Sequence, residues 1–430
     1  MSHCCLCGLL CSLDRAATDA CPRRSQWLEQ LAAQQTNHPG SHEPPTPPEL
    51  AAQIETIAAH FHPSRRSLIW IDGADVHTLR CAVELSAAVG GTIHVGQSTG
   101  GAASHRVLTS QGWLGSSLAE VASHADLIIS LGSCLRTEAP LLAPRFFSPA
   151  LASGRAQWCH IESHATALEE AEPEAAIPQT GNLPTPNWTA VWPRSQWHEQ
   201  LTQVMLGLQD ESARAESTAG RISESTHELL GKLRSAKNTV WLWDVDEFRD
   251  AIDELIISRL LGISRLLSQT ARCGLLALDA QVGRVTASET LLWLTGCSGT
   301  AQFDGQHWSQ PHALAEMTLE DWPSAFDSIV VVRSLPSVYP LPNLQASHFI
   351  VPDGSLLPDH IADSRVSVVS SVGVDSAGHV MRGDRATMMF CQANPALSRP
   401  MPMPSKRATA AELLEQVLRR VQSGGEIDAN

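Results

Sequence analysis

The chain is 430 residues long, 43% hydrophobic and 17% charged, which suits a globular protein large enough for two or three domains. Its net charge is −15 and no Lys/Arg block of useful length occurs, so a nucleic-acid surface is not expected. The longest apolar runs, such as Ile-Val-Val-Val at 329–332, are strand-sized rather than membrane-spanning, and the opening Met-Ser-His-Cys-Cys lacks the features of a secretory signal.

In chain order the first feature is a cluster of thiols. Cys4, Cys7 and Cys11 form a C-x2-C-x3-C triplet, and Cys21 follows. Short loops of this kind can aim thiolates at one iron–sulfur cube. Zinc is a second reading, although the usual two-plus-two spacing is missing. A third is a set of reduced thiols with no ion. The extra Cys5 and the nine-residue gap before Cys21 depart from a standard cluster motif. The remaining cysteines (Cys81, Cys134, Cys159, Cys273, Cys297 and Cys391) are scattered singly, as reduced core thiols of a cytoplasmic protein are.

Residues 25–35 have helical spacing, 37–48 form a proline-rich connector, and 49–61 predict an amphipathic helix with Leu50, Ile54 and Ile57 on one side. Strands are expected at 67–71, 90–95, 126–131 and 157–161, with a helix at 74–89 and a partly helical stretch at 107–124. Residues 165–200 read as an insert or linker. Beyond them come a helix at 221–235, a strand at 239–243, a helix at 247–269 and a strand at 274–278. Further strands are expected at 328–332 and 348–351, and a helix at 409–422 opens on a capping box of Thr409 and Glu412. Strands alternating with helices imply right-handed crossovers and a mostly parallel, doubly wound sheet.

Several polar groupings could carry chemistry. Residues 98–104 (Ser-Thr-Gly-Gly-Ala-Ala-Ser) follow a strand and match no phosphate-loop pattern, so a simple turn is expected. Gly132-Ser-Cys-Leu-Arg136 ends a strand where doubly wound sheets place ligands, which makes Arg136 a candidate for a phosphate or carboxylate. His160, Glu162 and His164 lack the H-E-x-x-H spacing of a metal site. Asp244, Asp246 and Glu247 are expected to open a helix, whose positive end favours acids. Residues 373–385 read as a polar loop with Asp375, His379, Arg382, Asp384 and Arg385 closely spaced. No Ser-His-Asp or Cys-His pair can be assembled from linear order.

These segments in this order resemble the B subunit of formylmethanofuran dehydrogenase, of the molybdopterin-oxidoreductase superfamily. They also resemble its bacterial relative in the formyltransferase/hydrolase complex of tetrahydromethanopterin-linked C1 metabolism. The resemblance is strongest in the cysteine opening, the block at 67–131, the stretch 285–296, and a glycine-led run carried by Gly373, Asp375, Gly378 and Arg382. It implies an α/β fold of two interlaced doubly wound (Rossmann-like) lobes with a small N-terminal Cys-rich segment. The expected boundaries are 1–25 for that segment, 26–165 for the first lobe, 166–220 for a linker or insert, and 221–430 for a region contributing to both lobes.

The departures from the family shape the functional expectation. The redox family places a cysteine or selenocysteine on its Mo or W, and the matching position here is Gly100 in Thr-Gly-Gly-Ala. The family's His- and Arg-rich pterin-phosphate stretch is reduced to Leu-Arg136-Thr-Glu-Ala-Pro. The resemblance therefore implies a redox-inactive, structural B subunit without Mo/W-pterin. Its implied partners are amidohydrolase-like and formyltransferase subunits. Cys4, Cys7, Cys11 and Cys21 are left as a [4Fe–4S] candidate; Gly100, Arg136, Asp375 and Arg382 line a remnant cofactor cleft. The competing reading is an active Mo/W-pterin oxidoreductase in which Cys134 supplies the ligand. A thiamine-diphosphate-like or sirtuin-like domain shares the alternation but not the cysteine opening.

Overall fold

The computed structural model describes residues 3–11, 21–37, 45–133, 135, 138–163, 184–209, 223–250, 252–311, 321–352, 355–357, 361, 365–394 and 407–425. In chain order come α1 (Pro22–Asn37), α2 (Pro47–Ala58), β1 (Ser67–Gly73), α3 (Val76–Val89), β2 (Thr92–Val95), α4 (Thr99–Gln111), α5 (Leu118–Ser123), β3 (Leu127–Leu131), β4 (Gln157–Glu162) and β5 (Trp188–Val191). Next are α6 (Trp197–Gln209), α7 (Glu224–Ser235), β6 (Asn238–Asp244), α8 (Asp253–Leu267), β7 (Arg272–Leu278), α9 (Val282–Thr295), β8 (Thr300–Phe303), β9 (Trp308–Ser309) and β10 (Ser328–Arg333). The remainder is β11 (His348–Pro352), β12 (Val366–Val369), β13 (Gly378–Met381), β14 (Met388–Cys391) and α10 (Ala410–Gly425).

The chain folds as two compact units, each α/β. The first comprises Met1–Gln97, Gln281–Arg382 and Met388–Asn430. Its seven-stranded sheet has the order β12-β11-β10-β1-β2-β8-β9. The pairs from β12 through β2 are parallel, and β8 and β9 add an antiparallel edge. β1 and β10 are buried almost throughout, as central strands covered on both faces must be. α3 starts where the Asp75 carboxylate accepts the His77 N–H at 3.1 Å, and it stops at Gly90, whose φ of 64° only glycine adopts without strain. α10 opens on the expected capping box, with the Thr409 N–H donating to Glu412 and the Glu412 N–H to Thr409 Oγ1.

The second unit comprises Ser98–Ala280 and Gly383–Thr387. Its five strands run in the order β5-β4-β3-β6-β7, all parallel. Its core gathers Trp197, Trp241, Trp243 and Phe248 with the apolar faces of α6, α7 and α8.

Several sequence expectations are corrected. The expected linker contains β5 and α6, whose apolar residues Ala190, Trp197, Leu201 and Val204 belong to the core of the second unit. Residues 99–104 are not a simple turn but the start of α4, with Ser98 Oγ accepting the Gly101 N–H at 3.1 Å. The expected polar loop at 373–385 includes β13, which pairs with β14 in an antiparallel hairpin. Within 26–165, β1 and β2 belong to the first unit, while β3 and β4 belong to the second. Asp244 caps a short 3-10 turn over Val245–Glu247 rather than a long helix; Asp253 and Glu254 occupy the first turn of α8.

Candidate functional site

In the first sheet the chain leaves β1 towards β2 on one side and β10 towards β11 on the other. Divergent crossovers of this kind open a crevice at the carboxyl ends of two adjacent strands, where doubly wound sheets hold ligands. A cleft of about 310 Å³, counting its open mouth, lies there. Its wall carries Asp72 and Gly73 from the end of β1, Arg333 from the end of β10, and Gly283 and Arg284 from the first turn of α9. Cys5 and Leu6 of the cysteine segment also line it.

Arg333 is almost fully buried, and its guanidinium bonds Asp72, with Nε donating at 2.8 Å. Nη1 donates to the Tyr339 carbonyl at 3.0 Å and Nη2 to the Pro340 carbonyl at 3.4 Å, which fixes the fork. Burial pushes the Asp72 carboxyl up, while the guanidiniums of Arg333 and Arg284 act to hold it down. Arg284 and Arg333 line the cleft at the positive end of a 14-residue helix, the end that anions favour. α9 reaches the strand end only because two glycines meet: a Cβ on Gly283 would lie 2.9 Å from the Gly73 Cα. The Ala74 N–H donates to the Gly283 carbonyl at 3.2 Å across the same contact. Asp72, Arg284 and Arg333 were not singled out in the sequence. The available signal was position, since Asp72 and Arg333 each close an apolar strand run.

Beside the cleft, Cys4, Cys7, Cys11 and Cys21 are all buried. The Cys4 N–H donates to the Cys11 carbonyl at 2.8 Å, and Leu10 takes the left-handed conformation (φ 47°) that turns the loop back on itself. Burial pushes the Cys4 and Cys7 thiols up to about 12; neighbouring sulfurs of the same set add to the effect, while Arg24 and Arg23 oppose it. Cys5 is engaged elsewhere: its main partner is Cys391, and a Cβ on Gly373 would lie 2.6 Å from the Cys5 sulfur. That accounts for the fifth cysteine of the opening, which packs with Leu10, Val282, Val372 and Val380. Four buried thiols flanked by arginines fit the donor set of an iron–sulfur cube, which carries net negative charge.

The second sheet has its own point of divergence, between β3 and β6, and there backbone fills the space. Gly100, in the first turn of α4, lies so close to the 3-10 turn after β6 that a Cβ would be 2.0 Å from the Val245 carbonyl oxygen and 2.7 Å from the Phe248 Cβ. A cysteine or any other ligating side chain does not fit at this position. At the end of β3, Gly132 has φ 78°, and a Cβ on it would meet the Glu247 carboxyl at 2.1 Å. The space at Gly100 thus does not fit a side chain that would ligate Mo or W.

Arg136 and Cys134 lie outside the described residues, as does His164. Asp375 belongs to the first unit and accepts the Ser371 N–H, capping its own turn. Arg382 also belongs to the first unit, and Gly100 to the second. One grouping hidden from linear order is a buried line in the second unit. Ser130 Oγ lies 2.8 Å from His160 Nδ1, and His160 Nε2 lies 2.8 Å from Glu162 Oε2. Trp158 Nε1 donates to the same serine at 2.8 Å, and all three polar residues are only 2% exposed. The arrangement satisfies buried polar groups between β3 and β4 instead of presenting a nucleophile to solvent.

Together these features define a class: an α/β protein with two parallel-sheet units and a buried cysteine loop against the first. No family model matches the chain, and no curated protein does. A solved chain that matches belongs to the X-ray crystal structure of the formyltransferase/hydrolase complex (FhcABCD) from Methylorubrum extorquens in complex with methylofuran. The TM-score is 0.66 at 20% identity, and the match covers 90% of this chain and 98% of that one. At this identity the likeness is one of fold. Among the described residues, no helix is long and apolar enough to cross a membrane.

Proposed function

We propose that the chain is the B-type subunit of a cytoplasmic formyltransferase/hydrolase complex in tetrahydromethanopterin-linked C1 metabolism, working as a redox-inactive scaffold beside amidohydrolase-like and formyltransferase subunits. The observation that carries this reading is the fold likeness, which spans nearly the whole length of both chains. The enclosure of Gly100 supports redox inactivity, because a Mo or W centre needs a coordinating side chain or substitute in the space that Val245 and Phe248 fill. Cys4, Cys7, Cys11 and Cys21 would hold a [4Fe–4S] cluster, which in a redox-inactive subunit would serve as a clamp on the N-terminal loop. Arg284 and Arg333 would hold an anionic group of a carrier at the β1–β10 crevice.

The test is isolation of the tagged chain from its native cells under anaerobic conditions. Amidohydrolase and formyltransferase subunits should co-purify, molybdenum and tungsten should stay far below one per chain, and formate should not reduce a viologen dye. A chain that purifies alone as a monomer overturns the subunit assignment. Stoichiometric Mo or W, or formate-dependent dye reduction, overturns the redox-inactive reading.

A further inference from the structure

One cluster of metal-ligating side chains lies apart from everything described above. His77 and Cys81 are four residues apart on α3 and so share one face of that helix. α10 packs on that helix, joining Leu79 and Ala82 to Leu413, Leu414 and Val417 in one core, and it brings Glu415 to the same face. His77 Nε2 is 3.4 Å from Glu415 Oε1, and the Cys81 sulfur is 3.9 Å from both Glu415 Oε1 and His77 Nδ1. A ligand atom from each of the three lies within 4.8 Å of the other two. Tetrahedral zinc with its ordinary bond lengths separates nitrogen and oxygen ligands by about 3.3 Å, and either from sulfur by about 3.6 Å. With Nε2 as the ligand, the Nε2–Oε1 and Sγ–Oε1 distances stand within a few tenths of an ångström of the required spacing, and the sulfur and the imidazole close the triangle within 4.8 Å.

The surroundings favour a cation. The carboxylates of Glu415, Glu84 and Asp75 all bear on the Cys81 sulfur, and Arg80 opposes them. Arg419 engages the other carboxylate oxygen of Glu415, Oε2, at 3.5 Å, which leaves Oε1 facing the trio. Cys81 is buried and His77 is exposed, so a water from solvent can take a fourth position. We propose that His77, Cys81 and Glu415 form a zinc site that pins the C-terminal helix to α3. The soft sulfur together with an imidazole selects zinc over magnesium or calcium.

The experiment uses the full chain, stripped of metal and kept reduced, titrated with zinc beside the variants His77→Ala and Glu415→Gln. Both variants leave the N-terminal thiols intact, so any zinc held there is common to all three proteins. The wild type should bind one more zinc per chain than either variant, or bind that equivalent with an affinity more than about 10–100-fold tighter, the loss expected even for outer-shell changes. Equal zinc content and affinity in all three proteins would leave only a His–Glu ion pair beside a core thiol and overturn the site.

Discussion

At position 100 a hydrogen atom stands where any other residue would drive a carbon into the Val245 carbonyl. The obstruction is backbone, which cannot swing aside as a long side chain can. Gly100→Ala should therefore destabilise the second unit by about 1–3 kcal/mol or more, the range for overpacking a tight site. Urea titration of the variant checks this, and an unchanged midpoint would refute the close packing. The sequence resemblance named this position and its missing side chain, but not the filled space around it. Asp72 and Arg333 were harder to read, since their ion pair joins residues 261 positions apart. Nothing local to either residue marks it as half of a cleft.

Among the elements, the docking of α9 on β1 depends on small residues at two facing positions. A Cβ at Gly283 presses on the Cα of Gly73, so Gly283→Ala should lift the first turn of α9 from the strand end. A cost of about 1–3 kcal/mol in a denaturant titration is expected, with loss of any anion held by Arg284. Wild-type stability with unchanged anion affinity would refute the contact. The strands easiest to find in the sequence were β1, β6, β7 and β10, because burial on both faces makes their sequences continuously apolar. β5 escaped because it is only four residues long, half exposed and close to a proline-rich stretch. β13 escaped because its Gly-His-Val-Met lies in a segment rich in turn-forming residues.

For the molecule as a whole, pH reports on buried imidazoles. Burial lowers His94 to about 3; burial, with a smaller push from His60, lowers His348 to about 4. In the unfolded chain both titrate near their ordinary value of about 6.5. Between those values the unfolded chain binds protons that the folded one refuses, so stability falls as pH drops below about 6.5. The slope approaches about 1.4 kcal/mol per pH unit for each histidine. The raised Asp72 and Asp253 act in the opposite sense as pH falls through their folded-state values, so the comparison with a histidine variant is what isolates the imidazole. Denaturation at stepped pH should show this decline, and His348→Asn should make it shallower; an identical slope would refute the assignment.

The pattern of strand after helix revealed the α/β class but not which strands are neighbours, because alternation looks the same whichever sheet a strand joins. The second unit is nearly continuous, from Ser98 to Ala280, whereas β1 of the first must wait for β10. At a synthesis rate of about 5–20 residues per second, the 261 positions from Asp72 to Arg333 correspond to roughly 13–52 s. Throughout that interval the most apolar strand of the N-terminal region is without its central neighbour, while the later-made unit can already have closed. On the ribosome, the portion translated first is thus the last to be finished.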